Sequence, residues 1–285
     1  MFHLLSTHDL STHLIHNWIQ RAAEFKAGTL SDCAVGKTGV FITDRPSLRT
    51  RASFTLAFEA LGGTFHSFLP GEIGLGQRES TKDIAGVLGS YYDMIIARVY
   101  EPTDLVVLSQ QSGVPVVNAL SKTEHPAQAL ADIFTISEYF HNPATLHLVY
   151  VGDASNTAQS LLFLCDQLGW QFTLTGPEPY HFPTHCTTDL SVLTQADVVY
   201  TDTWVSMGQE PEAQARNAAF APYYLTTQLF EQAKPTAVFM NDMPIRRGIE
   251  VDDAVVDGPR SIIYQQAENR IYMQMAIIEH LLTHQ

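Results

Sequence analysis

The sequence is short of cysteine and of long apolar runs. Its 285 residues include three cysteines, an odd number at unrelated spacings, which indicates neither a disulfide framework nor a zinc site. No apolar run reaches the roughly 18 residues that are needed to span a bilayer. The segment from Met1 to Phe25 lacks the basic start, apolar centre and cleavage site of a secretory signal peptide. We therefore expect a cytoplasmic protein that has no membrane partner.

Positive charge is also scarce, and this argues against two classes of partner. The chain carries 16 Lys and Arg against 30 Asp and Glu, a net charge of −14, which disfavours binding to nucleic acid or to an anionic membrane surface. Eleven of the 16 basic residues are arginine, and seven of these lie in a few motif-like segments. An acidic chain that concentrates arginine in this way is predicted to form a pocket for a small anion.

Strand-like and helix-like segments alternate along the chain. This alternation predicts an α/β fold with two doubly wound parallel-sheet domains joined by interdomain helices, with ligands beyond the carboxyl ends of the strands. The chain is too short for an eight-stranded barrel with eight complete helices. The predicted strands are 39–43, 64–68, 93–97, 114–117, 146–151, 171–175, 196–200 and 236–240. The predicted helices are one that begins near Ser11 and those over 52–61, 80–91, 126–140, 156–168 and 224–233.

We place the domain boundary in the helix predicted over 126–140, which Pro143 follows closely. The first domain then covers residues 1–135, and the second covers residues 136–261. The final helix, predicted over 262–285, carries one apolar stripe at three- and four-residue spacing. We expect this helix to pack back onto the first domain.

The segment Ser47-Leu48-Arg49-Thr50-Arg51 holds two arginines and two hydroxyl groups where an apolar strand turns into a helix. The unpaired N–H groups and the dipole of a helix N-terminus favour an anion. Arginine also matches phosphate oxygens with two parallel hydrogen bonds. The segment therefore indicates a phosphate site, although a single basic pentapeptide can also be a solvated helix start.

Two further segments follow strands of the predicted first domain. Arg98 comes after the strand predicted over 93–97, where a charge can reach a ligand or form a structural ion pair. His125 and Gln128 open the next helix, lie three residues apart and are expected to face the same way. A neutral imidazole there can polarise a carbonyl group. A histidine at a helix start is also compatible with a structural role.

A glycine-rich loop over 71–76 precedes another predicted helix. The spacing of Ser80 and Asp83 resembles a capping box, which favours a capped surface helix. Gln77 and Arg78 can instead reach a ligand from this loop.

The predicted second domain carries polar residues after three of its strands. The turn that leads to Asn156 lacks the G-x-G-x-x-G spacing, so a dinucleotide site is not indicated. Asn156 can contact a ligand or cap its helix. Asp202 is well placed to pair with an ammonium group, although its loop, which continues to Ser206, can also be an ordinary one. Asp242 and Arg246 can likewise face a ligand or pair with each other.

In chain order, these segments read S-x-R-T-R, an arginine after the third strand, H-P-x-Q, G-D-x-x-N, D-T-W-V-S-M-G-Q-E and A-E-N-R. From about residue 35 onward the chain thus resembles the aspartate/ornithine carbamoyltransferase family. D-x-W-V-S-M-G is similar to the ornithine branch of that family. The resemblance implies transfer of the carbamoyl group of carbamoyl phosphate to the side-chain amine of L-ornithine, giving L-citrulline and phosphate. It also implies that no metal or organic cofactor is needed, and that the protein is a homotrimer.

The resemblance further implies a role for each matching residue. Those implied to bind carbamoyl phosphate are Ser47, Leu48 (through its backbone), Arg49, Thr50, Arg98, His125, Gln128, Arg246 and Arg270. Those implied to bind the amino acid are Asn156, Asp202, Ser206 and Met207. His125, Arg98 and Thr50 are implied to polarise the carbonyl group, and Gln77 and Arg78 to serve the site of a neighbouring subunit.

One departure from the family concerns the acceptor amine. Asn241-Asp242-Met243-Pro244 stands where ornithine enzymes carry His-Cys-Leu-Pro, so Asp242 replaces a cysteine thought to interact with the side-chain amine. A carboxylate there stabilises a protonated amine, and it can act as a catalytic base where burial raises its pKa. Two alternatives therefore stay open. The acceptor can be lysine, a diamine or an N-acylornithine, or the chain can be a non-catalytic homologue that binds carbamoyl phosphate.

Overall fold

The structure is a computed structural model, and it describes residues 1–75, 78–206 and 208–284. The chain divides into two compact units. The first unit holds Met1–Glu138 and the segment from Ala267 onward, and the second holds Tyr139–Gln266. Each unit contains one parallel sheet, as the α/β pattern of the sequence predicts. In the described ranges, no helix combines the length and the apolar character that a bilayer crossing requires.

The first unit is built on a four-stranded sheet of order β2-β1-β3-β4. All three neighbouring pairs of strands are parallel. The strands are β1 (Thr38–Thr43), β2 (Thr64–Ser67), β3 (Met94–Arg98) and β4 (Val116–Leu120). The helices of this unit are α1 (Thr12–Lys26), α2 (Leu48–Ala60), α3 (Thr81–Tyr91) and α4 (Pro102–Gln111), together with most of α5 (Pro126–Tyr139) and of α10 (Ile263–Thr283).

Both faces of this sheet are covered by helices because its strands are apolar on both sides. Val40 and Ile42 of β1 pack in one cluster with apolar side chains of α3 and α4. Gly39 faces the opposite way, toward α2. A Cβ atom on Gly39 would lie 2.7 Å from Phe58 of α2 and 2.8 Å from Phe65, so glycine allows α2 to approach the sheet closely. The carboxyl ends of β1, β3 and β4 thereby lie at one edge of a firmly packed sheet.

The second unit is built on a five-stranded parallel sheet of order β7-β6-β5-β8-β9. On one face, Val149, Val199 and Phe239 join a buried apolar cluster. On the other face, the rings of Tyr150 and Tyr200 stack with their centroids 5.3 Å apart. The strands are β5 (His147–Val151), β6 (Gln171–Thr175), β7 (Cys186–Thr187), β8 (Val198–Thr201) and β9 (Val238–Asn241). The α-helices are α6 (Asn156–Leu168), α7 (Ala213–Phe220), α8 (Thr227–Phe230) and α9 (Asp253–Val256).

The structure corrects the sequence-based bounds of several elements and adds helices that the sequence did not predict. Helix α2 begins at Leu48 rather than at residue 52, so the S-L-R-T-R segment forms its N-cap and first turn. The helix predicted over 224–233 is reduced to Thr227–Phe230, because Leu225 instead pairs in a β-bridge with Val251. Helices α4 and α7 were not predicted, since they bury only two side chains each and their apolar pattern is weak.

A buried ion pair in the second unit yields a stability prediction. Arg216 of α7 and Asp153, in the turn after β5, are 3% and 6% exposed, and Nη2 of Arg216 donates to the carboxylate. Arg216→Met leaves that carboxylate buried without its cation, so we expect a loss of about 3–5 kcal/mol in the free energy of unfolding. Urea unfolding followed by circular dichroism measures this loss.

The matched control is Arg247→Met. Arg247 forms ion pairs with Asp253 and Asp257 at the surface, where such pairs contribute little. Equal losses in the two variants would contradict the prediction.

Candidate active site

Three of the predicted site residues lie at the same edge of the first sheet. Arg98 is the last residue of β3 and pairs in register with Thr43 of β1 and Leu120 of β4. Ser47 follows β1, and His125 follows β4. Because the carboxyl ends of parallel neighbours meet at one edge, residues that are 27 to 78 positions apart in the sequence lie at the same edge here. Nη1 of Arg98 lies 3.4 Å from Oγ of Ser47.

Arg270 of α10 joins this cluster through two donors. Its Nη2 donates to Oγ1 of Thr50 at 2.9 Å, and its Nη1 donates to Oε1 of Gln128. Gln128 in turn donates from Nε2 to Oδ1 of Asp132 at 2.9 Å. Arg270 is 3% exposed and Thr50 is 1% exposed, so the guanidinium lies inside the first unit. Parts of the S-x-R-T-R, H-P-x-Q and A-E-N-R motifs therefore contact one another directly.

His125 lies in the electrostatic field of both arginines. Burial lowers the pKa of its imidazole well below the usual value, and the charges of Arg270 and Arg98 lower it further. The ring is therefore neutral at physiological pH. Two guanidinium groups, a neutral imidazole and the N-terminus of α2 form a cluster that favours an anion with a polarisable carbonyl group.

Glu124, which the sequence did not single out, ties the loop before His125 to the N-terminal segment. Its Oε2 accepts from the N–H of Thr7 at 2.9 Å and from the hydroxyl of Thr7 at 2.7 Å. Its Oε1 accepts from the hydroxyl of Ser6. The partners lie more than 100 residues away in sequence, which is why local pattern gave no signal for this anchor.

The other site residues predicted in the first unit are exposed or half-buried, where the structure describes them. Arg49 is half-buried in the first turn of α2, whereas the side chain of Leu48 beside it is 73% exposed. Arg78 is exposed, and Ser80 caps α3 by accepting from the N–H of Asp83. The capped-helix interpretation of Ser80 is thus confirmed. Gln77 lies outside the described residues.

A second cluster, of acidic character, lies at the edge of the other sheet. Thr201 of β8 and Asn241 of β9 are direct register partners, so Asp202 and Asp242 follow two adjacent strands side by side. Oδ2 of Asp202 accepts from the hydroxyl of Tyr150 at 3.0 Å. Oδ2 of Asp242 accepts from the hydroxyl of Thr157 at 2.9 Å. Two neighbouring carboxyl groups are therefore each held by a hydroxyl donor.

The electrostatics of this carboxyl pair favour a cation. Burial raises the pKa of Asp202 well above its usual value, and the charge of Asp242 raises it further. Burial and the charge of Asp202 also raise the pKa of Tyr150, so that this phenol stays a hydrogen-bond donor. A ligand ammonium group would relieve the repulsion between the carboxylates.

The turn before α6 corrects one alternative for Asn156. Ser155 is the N-cap of α6 and accepts from the N–H of Ala158, so capping by Asn156 is wrong. Asn156 is the first helical residue and is half-buried. The hydroxyl of Ser155 also lies 3.3 Å from Oδ2 of Asp202. Ser155, Tyr150 and Thr157 were missed because hydroxyl residues at helix starts and in strands are common without a site.

The loop after Asp202 is held from the side by Arg216, whose Nε donates to the carbonyl oxygen of Trp204. Ser206 is half-buried, and its N–H donates to Oε1 of Gln209 at 2.9 Å. Met207 lies outside the described residues.

Arg246 is exposed and belongs to the second unit, whereas the other arginines predicted to bind the anion belong to the first.

Comparison with known proteins identifies the family. The model for the carbamoyl-P binding domain of aspartate/ornithine carbamoyltransferase matches residues 3–138, and the model for its Asp/Orn binding domain matches residues 144–281. The ornithine carbamoyltransferase of Methanopyrus kandleri is 39% identical over 98% of this chain and 97% of its own length. That of Bacillus subtilis is 34% identical over 98% of this chain and 93% of its own.

Solved structures agree with this finding. The ornithine carbamoyltransferase of Pyrococcus furiosus superposes with a TM-score of 0.92 at 37% identity, covering 98% of this chain and 96% of that one. The anabolic ornithine carbamoyltransferase of Campylobacter jejuni superposes with a TM-score of 0.95 at 29% identity and covers both chains fully (100% of each).

The neutral state of His125 is open to direct measurement. Arg98→Gln removes one of the two positive charges that disfavour the imidazolium, so we expect the pKa of His125 to rise. Titration of the imidazole by NMR measures the shift. Arg51→Gln is the control, because Arg51 is exposed on the first turn of α2 and should leave the pKa unchanged. Identical titrations of wild type and Arg98→Gln would contradict the electrostatic account.

Proposed function

The chain belongs to the aspartate/ornithine carbamoyltransferase family, and we propose that it transfers the carbamoyl group of carbamoyl phosphate to the side-chain amine of L-ornithine, giving L-citrulline and phosphate. The observation that carries this proposal is the cluster in which Arg270 contacts Thr50 and Gln128 while Arg98 lies beside Ser47. Five residues from four segments of the sequence thereby make contacts in the first unit, and two of the five are arginines, which supports an anionic ligand.

For the first substrate, we propose that Ser47, Arg49, Thr50 and Arg98 bind the phosphate group, with the N-terminus of α2 and the backbone of Leu48. The N–H groups of a helix start and guanidinium forks are both suited to phosphate oxygens. The other residues proposed for carbamoyl phosphate are His125, Gln128, Arg246 and Arg270.

For the carbonyl group, we propose that His125, Arg98 and Thr50 supply the polarising contacts. The neutral imidazole can donate a hydrogen bond to the carbonyl oxygen, and the guanidinium can stabilise negative charge on that oxygen. When the amine attacks, a tetrahedral oxyanion forms at this carbon. The C–O bond to phosphate then breaks, and the proton lost by the attacking amine ends on the leaving phosphate, so that the step balances in atoms and in charge.

For the acceptor, we propose that Asp202, with Asn156, Ser206 and Met207, binds the α-amino and carboxylate end of the amino acid. Asp242 then faces the side-chain amine. The side-by-side placement of Asp202 and Asp242 supports an acceptor that brings positive charge. A neutral N-acyl group would match this site less well, because it leaves one carboxylate uncompensated.

We further propose that the protein acts as a cytoplasmic homotrimer in which Gln77 and Arg78 serve the site of a neighbouring subunit. Sedimentation equilibrium tests the trimer. The residue roles rest on the family resemblance together with the contacts described above. The trimer rests on the resemblance alone, and the location rests on the sequence features given earlier.

The central test is carbamoyl transfer by the purified protein. We expect citrulline from carbamoyl phosphate and L-ornithine, and a loss of about 100-fold or more in kcat/KM for Arg49→Ala, since a charged contact to the reacting group is removed. Arg51→Ala in the same helical turn should retain activity. Wild-type turnover no higher than that of Arg49→Ala would overturn the proposal.

A panel of lysine, diamines and N-acylornithines separates the acceptor alternatives in the same assay. Strong preference for ornithine removes the other acceptors. Turnover with any member of the panel removes the non-catalytic alternative.

The role of Asp242 predicts a change in the pH profile. A carboxylate beside the acceptor ammonium raises the pKa of that amine, so the reactive free amine appears only at higher pH. Asp242→Cys removes the negative charge, and the pH optimum of kcat should move downward. Asp252→Asn is the control, because the Asp252 carboxylate accepts hydrogen bonds from Tyr224 and Thr227, neither of which belongs to the predicted site. An unchanged optimum in Asp242→Cys would show that the position does not contact the amine.

A further inference from the structure

Gln266 is a buried side chain to which the proposed reaction assigns no role. It lies in the first turn of α10 and is 1% exposed. Its Oε1 accepts from the backbone N–H of Asn241 at 3.1 Å, and its Nε2 donates to the hydroxyl of Tyr200 at 3.1 Å. One amide thus contacts both β8 and β9, the strands that lead to Asp202 and Asp242.

The contact with Asn241 arises because β9 is the edge strand of its sheet. The outward N–H of Phe239 donates to the carbonyl oxygen of Arg260 at 2.8 Å, and the N–H of Ile262 donates to the carbonyl oxygen of Phe239 at 3.1 Å. In a parallel ladder the next bond would run from the N–H of Asn241 to the carbonyl oxygen of Ile262. That oxygen instead accepts from the N–H of Gln266 at 2.9 Å, because α10 begins here, and Oε1 of Gln266 takes its place.

The contact with Tyr200 reaches the other carboxyl group through a stacked pair of rings. The rings of Tyr200 and Tyr150 lie with their centroids 5.3 Å apart and their planes at 11°. The hydroxyl of Tyr150 donates to Oδ2 of Asp202 at 3.0 Å. Because both tyrosines are 0% exposed, a displacement of one ring in this close-packed interior displaces the other. The hydrogen bond from Gln266 to Tyr200 therefore helps to fix the donor that holds Asp202.

A further hydrogen bond links the ends of the two strands. Nδ2 of Asn241 donates to Oγ1 of Thr201 at 2.8 Å, and both residues are 1% exposed. They are register partners and directly precede Asp242 and Asp202. A shift of Asn241 is therefore transmitted to both carboxyl groups.

We propose that Gln266 is a positioning residue that fixes the two carboxyl groups of the acceptor site, Asp242 through the backbone of Asn241 and Asp202 through the stacked tyrosines. This inference rests on the proposed function for the identity of the ligand. It assigns to Gln266 no contact with substrate. A neutral amide suits the position, because it supplies an acceptor and a donor without adding charge near two carboxyl groups.

Two variants remove the contacts of this amide to different extents. Gln266→Met removes both contacts at similar side-chain length, and Tyr200→Phe removes the hydroxyl that Nε2 contacts but keeps the stacked ring. We expect the KM for L-ornithine to rise about tenfold in Gln266→Met and about threefold in Tyr200→Phe, because each lost hydrogen bond loosens the carboxyl groups that bind the acceptor. The KM for carbamoyl phosphate should not change.

The double variant distinguishes positioning from a general loss of stability. Tyr200→Phe removes a contact that Gln266→Met has already lost, so the double variant should show the same rise of about tenfold and not the product of about thirtyfold. Urea unfolding followed by circular dichroism checks that each variant is folded. Independent, multiplicative effects would overturn the proposal, and so would an equal rise in the KM for both substrates.

Gln274→Met is the matched control. Gln274 lies further along α10 and is 0% exposed, and within the described residues neither of its amide atoms has a hydrogen-bond partner. The control therefore removes a buried amide from the same helix without removing these contacts, and its KM for L-ornithine should equal that of wild type. A rise as large as that in Gln266→Met would contradict the positioning role.

A second readout needs no ligand. The N–H of Thr203 donates to Oδ1 of Asp202 at 2.6 Å, so its backbone hydrogen exchange reports on that carboxyl group. Exchange in Gln266→Met should be faster than in wild type at Asn241, which loses its acceptor, and also at Thr203. Faster exchange at Asn241 with Thr203 unchanged would overturn the proposal. If wild type does not carbamoylate ornithine while both amides exchange as expected, the proposed acceptor is wrong and the positioning role stands.

Discussion

Each unit buries charged side chains of a single sign at its predicted site, and this is the constraint on which the rest of the unit depends. In the first unit, the guanidinium of Arg270 is 3% exposed and donates to Thr50 and Gln128, and Arg98 adds a second positive charge beside a neutral His125. In the second unit, the sign is opposite: Asp202 is 6% exposed and lies beside Asp242. Removing such charges from water costs several kcal/mol unless polar partners or a ligand compensate. The hydroxyl and amide groups around them supply part of that compensation, and an anionic or cationic substrate would supply the rest.

The edge positions of these residues were predictable from the sequence because they follow from strand order alone. Ser47, Arg98 and His125 come after apolar strands, and parallel strands bring such positions to one edge. The same logic placed Asp202 and Asp242 at the end of the second sheet. The contact of Arg270 with Thr50 spans 220 residues and depends on how the last helix packs, so only the family resemblance pointed to it.

The anchors behind the site were beyond sequence reasoning for a different reason. Glu124 is held by Ser6 and Thr7, and Arg216 holds Asp153 and Trp204, so the role of each depends on partners that a local pattern does not contain. A charged residue in a loop or short helix is usually exposed to solvent. The residues next to it in the sequence do not show when such a charged side chain is instead buried. The start of α2 was hard to predict for another reason. Its basic first turn, which follows Ser47, lacks the apolar spacing from which the helix was predicted, so the predicted helix began too late.

In its proposed role, the carboxylate of Asp242 would impose opposing demands on the acceptor amine. Its charge favours binding of the ammonium form, yet only the free amine can attack a carbonyl carbon. The raised pKa of Asp202, which reflects burial and the nearby Asp242, means that the pair retains a proton more readily than isolated carboxyl groups. In the proposed roles, binding of one ammonium group would displace that proton to solvent, and the side-chain amine would lose its own proton to the leaving phosphate. The carboxyl pair would then favour binding of the cation, while the attack would draw on the fraction of free amine that the raised amine pKa leaves.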